Sequence, residues 1–400
     1  MKRKRSTPVT RLTPDAEKLV ALALGLNAAG SLTEDRYWEK QIARLIVQLL
    51  DSGRESAINA VLDHLFQLQS QSQGNAYEML VDQVESLTES ATLQHDGKNW
   101  DALLVAVPVV AWSKYAIPSG AIKDESALTL AAHLQAHVMA RKTRLTLAPY
   151  LYSIDQLPSH FYDVRKLAIK LGEAALKGAG VKLDFSRLPE TASLLADARF
   201  LLAAVVAPEG EPLFRWQEIS TSEHASRSHC LEQWITQGRP NLAPLLQGCV
   251  FECLLPEAYY VSCREADRRV RPYSLRSAVA FLEAALNIRA EQLDAVVAGF
   301  GQERIDEFRV SFMARDSEEV AYGVVWPLFG REDESNAPTP LDDIRTQLHE
   351  CGVVRVNELK GIFAPEFCED CGAPLFPTAE GEMVHAGLPE EADTTEAHYH

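Results

Sequence analysis

The chain has 400 residues, 46% of them hydrophobic and 24% charged, with a formal net charge of −17. That length allows two or three domains around a large buried core, and so negative a field disfavours nucleic acid and anionic membrane surfaces as partners. No apolar run reaches the roughly 18 residues of a membrane span.

Residues 1–14 read as a flexible basic tip carrying Lys2, Arg3, Lys4 and Arg5. No apolar stretch follows it, so a secretory signal is not expected. Residues 15–95 read as a helical domain. "DAEKLVALALGLNAAG" places Leu19, Leu22, Ala23 and Leu26 on one helical face and stops at Gly30. Ser31 lies three residues before Glu34, the spacing of a capping box, and Trp38, Ile42, Leu45, Ile46 and Leu49 continue that helix. "ESAINAVLDHLFQL" and "AYEMLVDQVESLTES" supply two more.

The texture changes near residue 99. "WDALLVAVPVVAW" has no helical period and reads as a buried strand. "DESALTLAAHLQAHVMARK" is a helix with acids first and bases last. "TRLTLAPYLYSI" is a strand and "YDVRKLAIKLGEAALKGAG" a helix ending in glycines. The order then recurs in "RFLLAAVVAPE", "SRSHCLEQWITQG", "GCVFECLLPEAYYVSC" and "YSLRSAVAFLEAALN". One constant offset lays Ala148 on Ala258, Tyr150 on Tyr260 and Glu173-Ala174-Ala175-Leu176 on Glu283-Ala284-Ala285-Leu286. The expected fold is therefore α/β, of mixed α+β composition. It has two pseudo-repeated strand-helix-strand-helix halves, residues 99–190 and 195–330. "LDAVVAGFG", "RIDEFRVSFMAR" and "EVAYGVVWPLFG" add an antiparallel extension to the second half. Residues 331–340, "REDESNAPTP", form a linker. Residues 341–400 hold a short helix and a cysteine-bearing tail.

Few places can carry chemistry. No nucleophile elbow, phosphate loop or H-E-x-x-H motif is present. His133 and His137 stand one helical turn apart and could share a metal, but no carboxylate lies between them. Cys249 and Cys253 would lie about 13 Å apart on a strand, too far for one metal or a disulfide. In "SCREADRRVRPYS", Arg264, Arg268, Arg269 and Arg271 stand just after a predicted strand, where α/β folds bind ligands. Arginine forks suit phosphate or carboxylate. Glu265 or Asp267 could act there as acid or base, and Cys263 could be a reactive thiol among the cations. The plainer reading is an exposed loop whose arginines pair with the chain's own acids.

The tail has a different character. Cys368-Glu-Asp-Cys371-Gly372 has the spacing of a zinc knuckle, and "APLFPTAEGEMVHAG" reads as a hairpin around Glu380-Gly381. His385, His398 and His400 are near in sequence. His398 and His400 flank Tyr399, so an extended chain points both to one side. Pro374 and Pro377 argue against a helix after the cysteines, and so against a thioredoxin-type dithiol. Four protein ligands would close a Zn2+ site and make it structural rather than catalytic. Seven scattered cysteines do not otherwise form a disulfide framework, and a cytoplasmic protein is expected.

Over nearly its full length the chain resembles a betaproteobacterial family catalogued as a domain of unknown function, family 2863. "ALGLNAAGSLTEDRYWE", "LAPYLYSIDQLP", "FRWQE", "ECLLPEAYYVSCREADRRVRPYSLR", "VVAGFGQER", "YGVVWPLFGRED" and "CEDCGAPLF" carry the resemblance. It implies a shared architecture and supplies no activity. It also implies that the terminal His-x-His belongs to the pattern, which makes His398 and His400 the expected ligands beside Cys368 and Cys371, with His385 as substitute. Two functions stay open. One is a non-catalytic protein with a structural zinc tail, working through protein partners or a second copy of itself. The other is an enzyme or sensor for a small anionic ligand at residues 262–274.

Overall fold

The structure, a computed structural model, describes residues 12–69, 75–218, 226–302, 304–315, 317–329, 332 and 338–388. The basic residues Lys2–Arg5, most of the expected linker, and His398 and His400 lie outside them.

The first four helices are α1 (Pro14–Asn27), α2 (Leu32–Asp51), α3 (Glu55–Gln69) and α4 (Ala76–Glu89). Their starts follow the sequence chemistry. Ser31 Oγ accepts from the Glu34 amide at 3.3 Å, and Glu34 returns the bond by accepting from Ser31 Oγ at 2.8 Å. Leu19, Leu26, Ile42, Leu45, Ile46 and Leu49 meet in one apolar cluster, as their spacing predicts. Arg165 ties this bundle to the body: it binds Asp51 at 2.9 Å and the carbonyls of Leu87 and Ser90 at 2.9 and 3.2 Å.

The helical segment ends at Glu89. Residues 90–95, grouped with it by composition, form strand β1 (Ser90–His95), which turns through Asp96 and Gly97 into β2 (Lys98–Trp112). Both turn residues have positive φ, 49° and 71°, the conformation a two-residue hairpin needs and an Asp-Gly pair supplies.

The body then alternates. β3 (Gly120–Ala121), α5 (Asp124–His137), β4 (Arg144–Leu147), β5 (Tyr150–Ser153) and α6 (Phe161–Lys177) complete the first half. β6 (Ala196–Pro208), α7 (Arg227–Leu242), β7 (Val250–Cys253), β8 (Glu257–Ala258) and α8 (Tyr259–Leu286) make the second. The two long strands pair antiparallel from Trp100↔Pro208 to Trp112↔Ala196 without a register shift. The short strands cross over: β4 and β5 pair with β6, whereas β7 and β8 pair with β2. Each half thus completes the other's sheet. Val105, Val107, Leu201 and Ala203 point towards α5 and α7. The alternate residues Leu104, Ala106, Leu202 and Ala204 point towards α6 and α8. Burial on both faces explains why these strands read as unbroken apolar runs.

Pro108 sits inside β2 at no cost to the ladder. Its carbonyl accepts from the Leu254 amide at 3.0 Å, so its missing N–H faces the gap between β7 and β8.

Two expectations change here. "LDAVVAGFG" and the runs after it form β9 (Leu293–Gly301), β10 (Ile305–Ala314) and β11 (Tyr322–Pro327), antiparallel as expected. They do not extend the first sheet. With β12 (Arg355–Phe363), parallel to β9, they build a second sheet in the order β11-β10-β9-β12. The reason lies in the second change. Residues 262–274, expected as a loop, belong to α8, a single 28-residue helix. Its first part packs on the first sheet through Tyr259 and Ala266. Its last part packs on the second sheet through Leu275, Ala278 and Leu282, beside Ile344 and Leu348 of α9 (Pro340–Glu350). Pro272 lies inside α8, which runs through it and carries the chain to the second sheet.

Because the halves exchange strands, cleaving the connection between residues 178 and 195 should leave both fragments associated, with one melting transition. Two pieces that separate on a sizing column and melt independently would contradict the shared sheet.

Candidate metal centre and the pocket beside it

Along α8 the charged residues fall on different faces. Arg264 bonds both carboxylate oxygens of Glu85 on α4 at 2.7 Å. Arg268 bonds Glu332 at 2.7 Å, and Arg269 bonds both oxygens of Glu252 on β7 at 3.0 and 2.8 Å. Tyr273 donates to that same Glu252 carboxylate at 2.8 Å. Arg271 is buried, 2.8 Å from Glu332, with its guanidinium 4.8 Å from the centre of the Phe329 ring. All four arginines named for an anion are therefore engaged by the chain's own carboxylates. Glu265 is exposed and 3.9 Å from Arg268.

The surroundings of Cys263 act against the lowered thiol expected among the cations. Burial pushes its thiol up, with Asp267 and Glu89 adding to the rise and Arg264 only partly opposing it. Nearby Glu89 is buried too and accepts from the Tyr260 amide at 3.0 Å. Loss of water pushes its carboxyl up to about 7. His133 and His137 stack with ring centres 5.9 Å apart. Among the described residues no third donor closes a group with them.

The cysteine tail gathers a metal-ligating set. The Cys368 amide donates to the Ala373 carbonyl at 2.8 Å, the Gly372 amide to the Cys368 carbonyl at 2.9 Å, and the Leu375 amide to the Glu366 carbonyl at 3.0 Å. The amides of Cys371 and Asp370 face the Cys368 sulfur and hold its thiol below the ordinary cysteine range. β13 (Phe376–Pro377) and β14 (Met383–Val384) then form the hairpin expected around Glu380-Gly381. The hairpin returns His385 to the knuckle, with Nε2 3.3 Å from Cys371 Sγ. The ligand atoms of Cys368, Cys371 and His385 all lie within 4.8 Å of one another. Ligands on one tetrahedral zinc lie about 3.7 Å apart at Zn–S distances near 2.3 Å, so this group could hold a metal ion. His385, given second place by sequence, is the histidine brought to the cysteines in the described residues.

Sequence reasoning missed what docks this tail. On β10 the residues Phe308, Val310 and Phe312 face α8 and α9, while Glu307, Arg309 and Ser311 alternate onto the other face. Arg309 is fully buried and donates to the Glu366 and Leu375 carbonyls at 2.7 and 2.6 Å, on either side of the knuckle. It also binds Glu307 at 2.7 Å, and its guanidinium lies 4.4 Å from the centre of the Phe300 ring. Ser311 donates to the Pro377 carbonyl at 2.6 Å. On β11 a Cβ at Gly323 would come within 2.4 Å of the Phe376 ring, so only glycine lets the tail lie this close. The one legible signal was a lone arginine between apolar residues of a strand.

Where the tail crosses α8 and β11 it walls a cavity of about 620 Å³. Asp267, Val270, Arg271 and Ser274, spaced i, i+3, i+4, i+7, line one side, and Leu195 with Asp197 at the start of β6 line another. Val324 of β11 and Phe376 and His385 of the tail close it. Asp197 is buried and paired with Arg199, which also donates to the Pro118 and Ile117 carbonyls at 2.9 and 2.8 Å.

These features define a mixed α+β protein of several sheets, with a Cys/His group able to hold a metal ion near its C-terminal end. Among the described residues no helix is long and apolar enough to cross a membrane. The chain belongs to the family described as Protein of unknown function (DUF2863), which it matches over residues 3–399. No curated protein and no solved structure matches it.

Replacing Arg309 by Met should remove the two bonds to the tail carbonyls. Charged hydrogen bonds of this kind are each worth roughly 1.5–3 kcal/mol, so denaturant unfolding should report a loss of about 3 kcal/mol, and residues 364–388 should become the first site of proteolysis. A variant with unchanged stability and an intact tail would contradict the docking role.

Proposed function

We propose that the chain is a non-catalytic, zinc-binding protein of the cytoplasm that regulates or scaffolds protein partners, a second copy of itself among them. The observation that carries this reading is the convergence of Cys368, Cys371 and His385 at a knuckle anchored from beneath by Arg309. Two thiolates and an imidazole favour zinc over calcium or magnesium, which prefer oxygen ligands. His398 or His400 supplies the fourth ligand in this reading. Four protein ligands leave no position for an activated water, so the metal orders the tail rather than performing chemistry.

The zinc is needed because of the composition of the tail. Residues 366–400 contain no Lys or Arg, several acids and few large apolar side chains. Such a segment buries little surface of its own, and metal binding supplies the missing free energy. The enzyme-or-sensor reading at 262–274 is less well supported, because Glu85, Glu252 and Glu332 already pair with these arginines, although Arg271 keeps Nε and Nη2 buried without a hydrogen-bond partner.

Elemental analysis of protein purified without a histidine tag should find about one zinc per chain, the stoichiometry of one four-ligand site. Cys368→Ser combined with Cys371→Ser should abolish it. His385→Ala, and separately His398→Ala with His400→Ala, should each weaken retention against a chelator. Metal-free wild type, or zinc retained by the double cysteine variant, would overturn the reading.

A further inference from the structure

β11 is the end strand of the second sheet, and its outer edge is open. The Leu328 amide donates to the Asp306 carbonyl at 2.9 Å, so the residues in step with it, Trp326 and Val324, are the ones that bond β10. The backbone groups of Gly323 and Val325 therefore point outward, where no backbone bond is made to them among the described residues. Pro327 falls in the same outward set, which suits a residue without an N–H. Just before the strand the tail already uses this edge, where the Gly387 amide donates to the Val320 carbonyl at 2.9 Å.

The cavity of about 620 Å³ runs along the edge. Residues 321–325 and 327 all line it, so both faces of β11 border it, as a space at the strand's edge requires. Leu194, Leu195, Val270 and Phe376 make the other walls apolar. Its volume is that of small-ligand sites, roughly 300–1,000 Å³.

One end has a charge to offer. Arg271 is buried and lines the cavity, with its guanidinium 5.7 Å from the centre of the Trp326 ring and 4.8 Å from that of Phe329, at the Pro327 end of the strand. Arg268 and Arg271 share the single carboxylate of Glu332. Nη1 of Arg271 meets that carboxylate, whereas Nε and Nη2 have no hydrogen-bond partner. These two groups form a side-on fork that fits both oxygens of a carboxylate, and leaving them unmatched in the interior costs free energy. Asp267, one helical turn earlier, acts on Arg271 electrostatically, with no hydrogen bond between them.

We infer that this cavity binds the C-terminal end of an extended peptide from a partner protein, its carboxylate on Arg271 and its backbone paired with Gly323 and Val325. With the carboxylate at the Pro327 end, the peptide runs parallel to β11. Strand addition of this kind draws affinity from the main chain, and the apolar walls select the side chains. The site rests on the partner-binding part of the proposed function and gives that partner a chemistry. Zinc is measured on the same sample: zinc present without peptide binding overturns this site alone, and peptide binding without zinc overturns the metal reading alone.

Calorimetry on the full chain compares four probes: N-acetyl-alanyl-valyl-valine with a free carboxyl, its C-terminal amide, its form N-methylated at every amide, and 4-methylpentanoate. The acid should bind about tenfold more tightly than the amide, the gain from a charge-assisted fork. The methylated peptide and 4-methylpentanoate, which cannot pair with the edge, should each bind at least about tenfold more weakly than the acid. Arg271→Lys keeps a charge facing Glu332 but loses the fork, and should erase the advantage of the acid. Asp267→Asn removes a repelling carboxylate, and should tighten the acid while leaving the amide unchanged. If Arg271→Lys does not fold, the four probes on the wild type decide the matter. The site is overturned if the acid does not bind, if the amide binds as well as the acid, or if the methylated peptide or 4-methylpentanoate matches it.

Discussion

The antiparallel pairing of β2 with β6 is the constraint on which the other elements depend. Each strand comes from a different half, and each receives on its outer edge the short strands of the opposite half. Neither half can close its own sheet. The helices follow from this: α5 with α7, and α6 with α8, must cover opposite faces of a sheet whose two central strands are apolar on both sides. The pairing also explains where a proline can stand, since the break between β7 and β8 leaves room for the missing donor of Pro108.

α8 carries this order to the second sheet. Its 28 residues span two cores, and its arginines reach several neighbours, Arg276 pairing with Glu350 of α9. Arg264 reaches the helical bundle, Arg269 reaches β7, and Arg271 reaches the segment after β11. The remaining face, with Asp267 and Ser274, is left to the cavity. The second sheet then offers one face to α8 and α9 and the other to the tail, where Phe376 joins Val296, Met313 and Val320 in a small separate cluster. A cluster of that size is a weak anchor. The buried guanidinium of Arg309 gives the tail an anchor that hydrophobic burial does not, and the Cys368, Cys371 and His385 group beside it could hold a metal ion.

Much of this was legible in the residues. Alternation and apolar runs located the long strands, the C-x-x-C spacing located the knuckle, and Glu380-Gly381 located the hairpin. The repeat was visible in element order as well as in letters. What sequence could not convey were contacts between distant segments. Residues 262–274 looked like a loop because local propensity cannot weigh the two cores that α8 joins. The arginines of 262–274 looked available because their partners, Glu85, Glu252 and Glu332, lie on other elements. Cys263 looked activated by neighbouring cations, yet its enclosure matters more than their charge. His385 took second place because nothing in the letters says that the hairpin folds back onto Cys371.

The dependence of the tail on its metal is the central claim, and hydrogen exchange before and after zinc removal by a chelator tests it most directly. The account predicts that exchange rises across residues 366–388 and in β11 beneath them, while β2 and β6 keep their protection. Unchanged exchange in the tail after the metal has been stripped, or loss of protection spread evenly through β2 and β6, would contradict it.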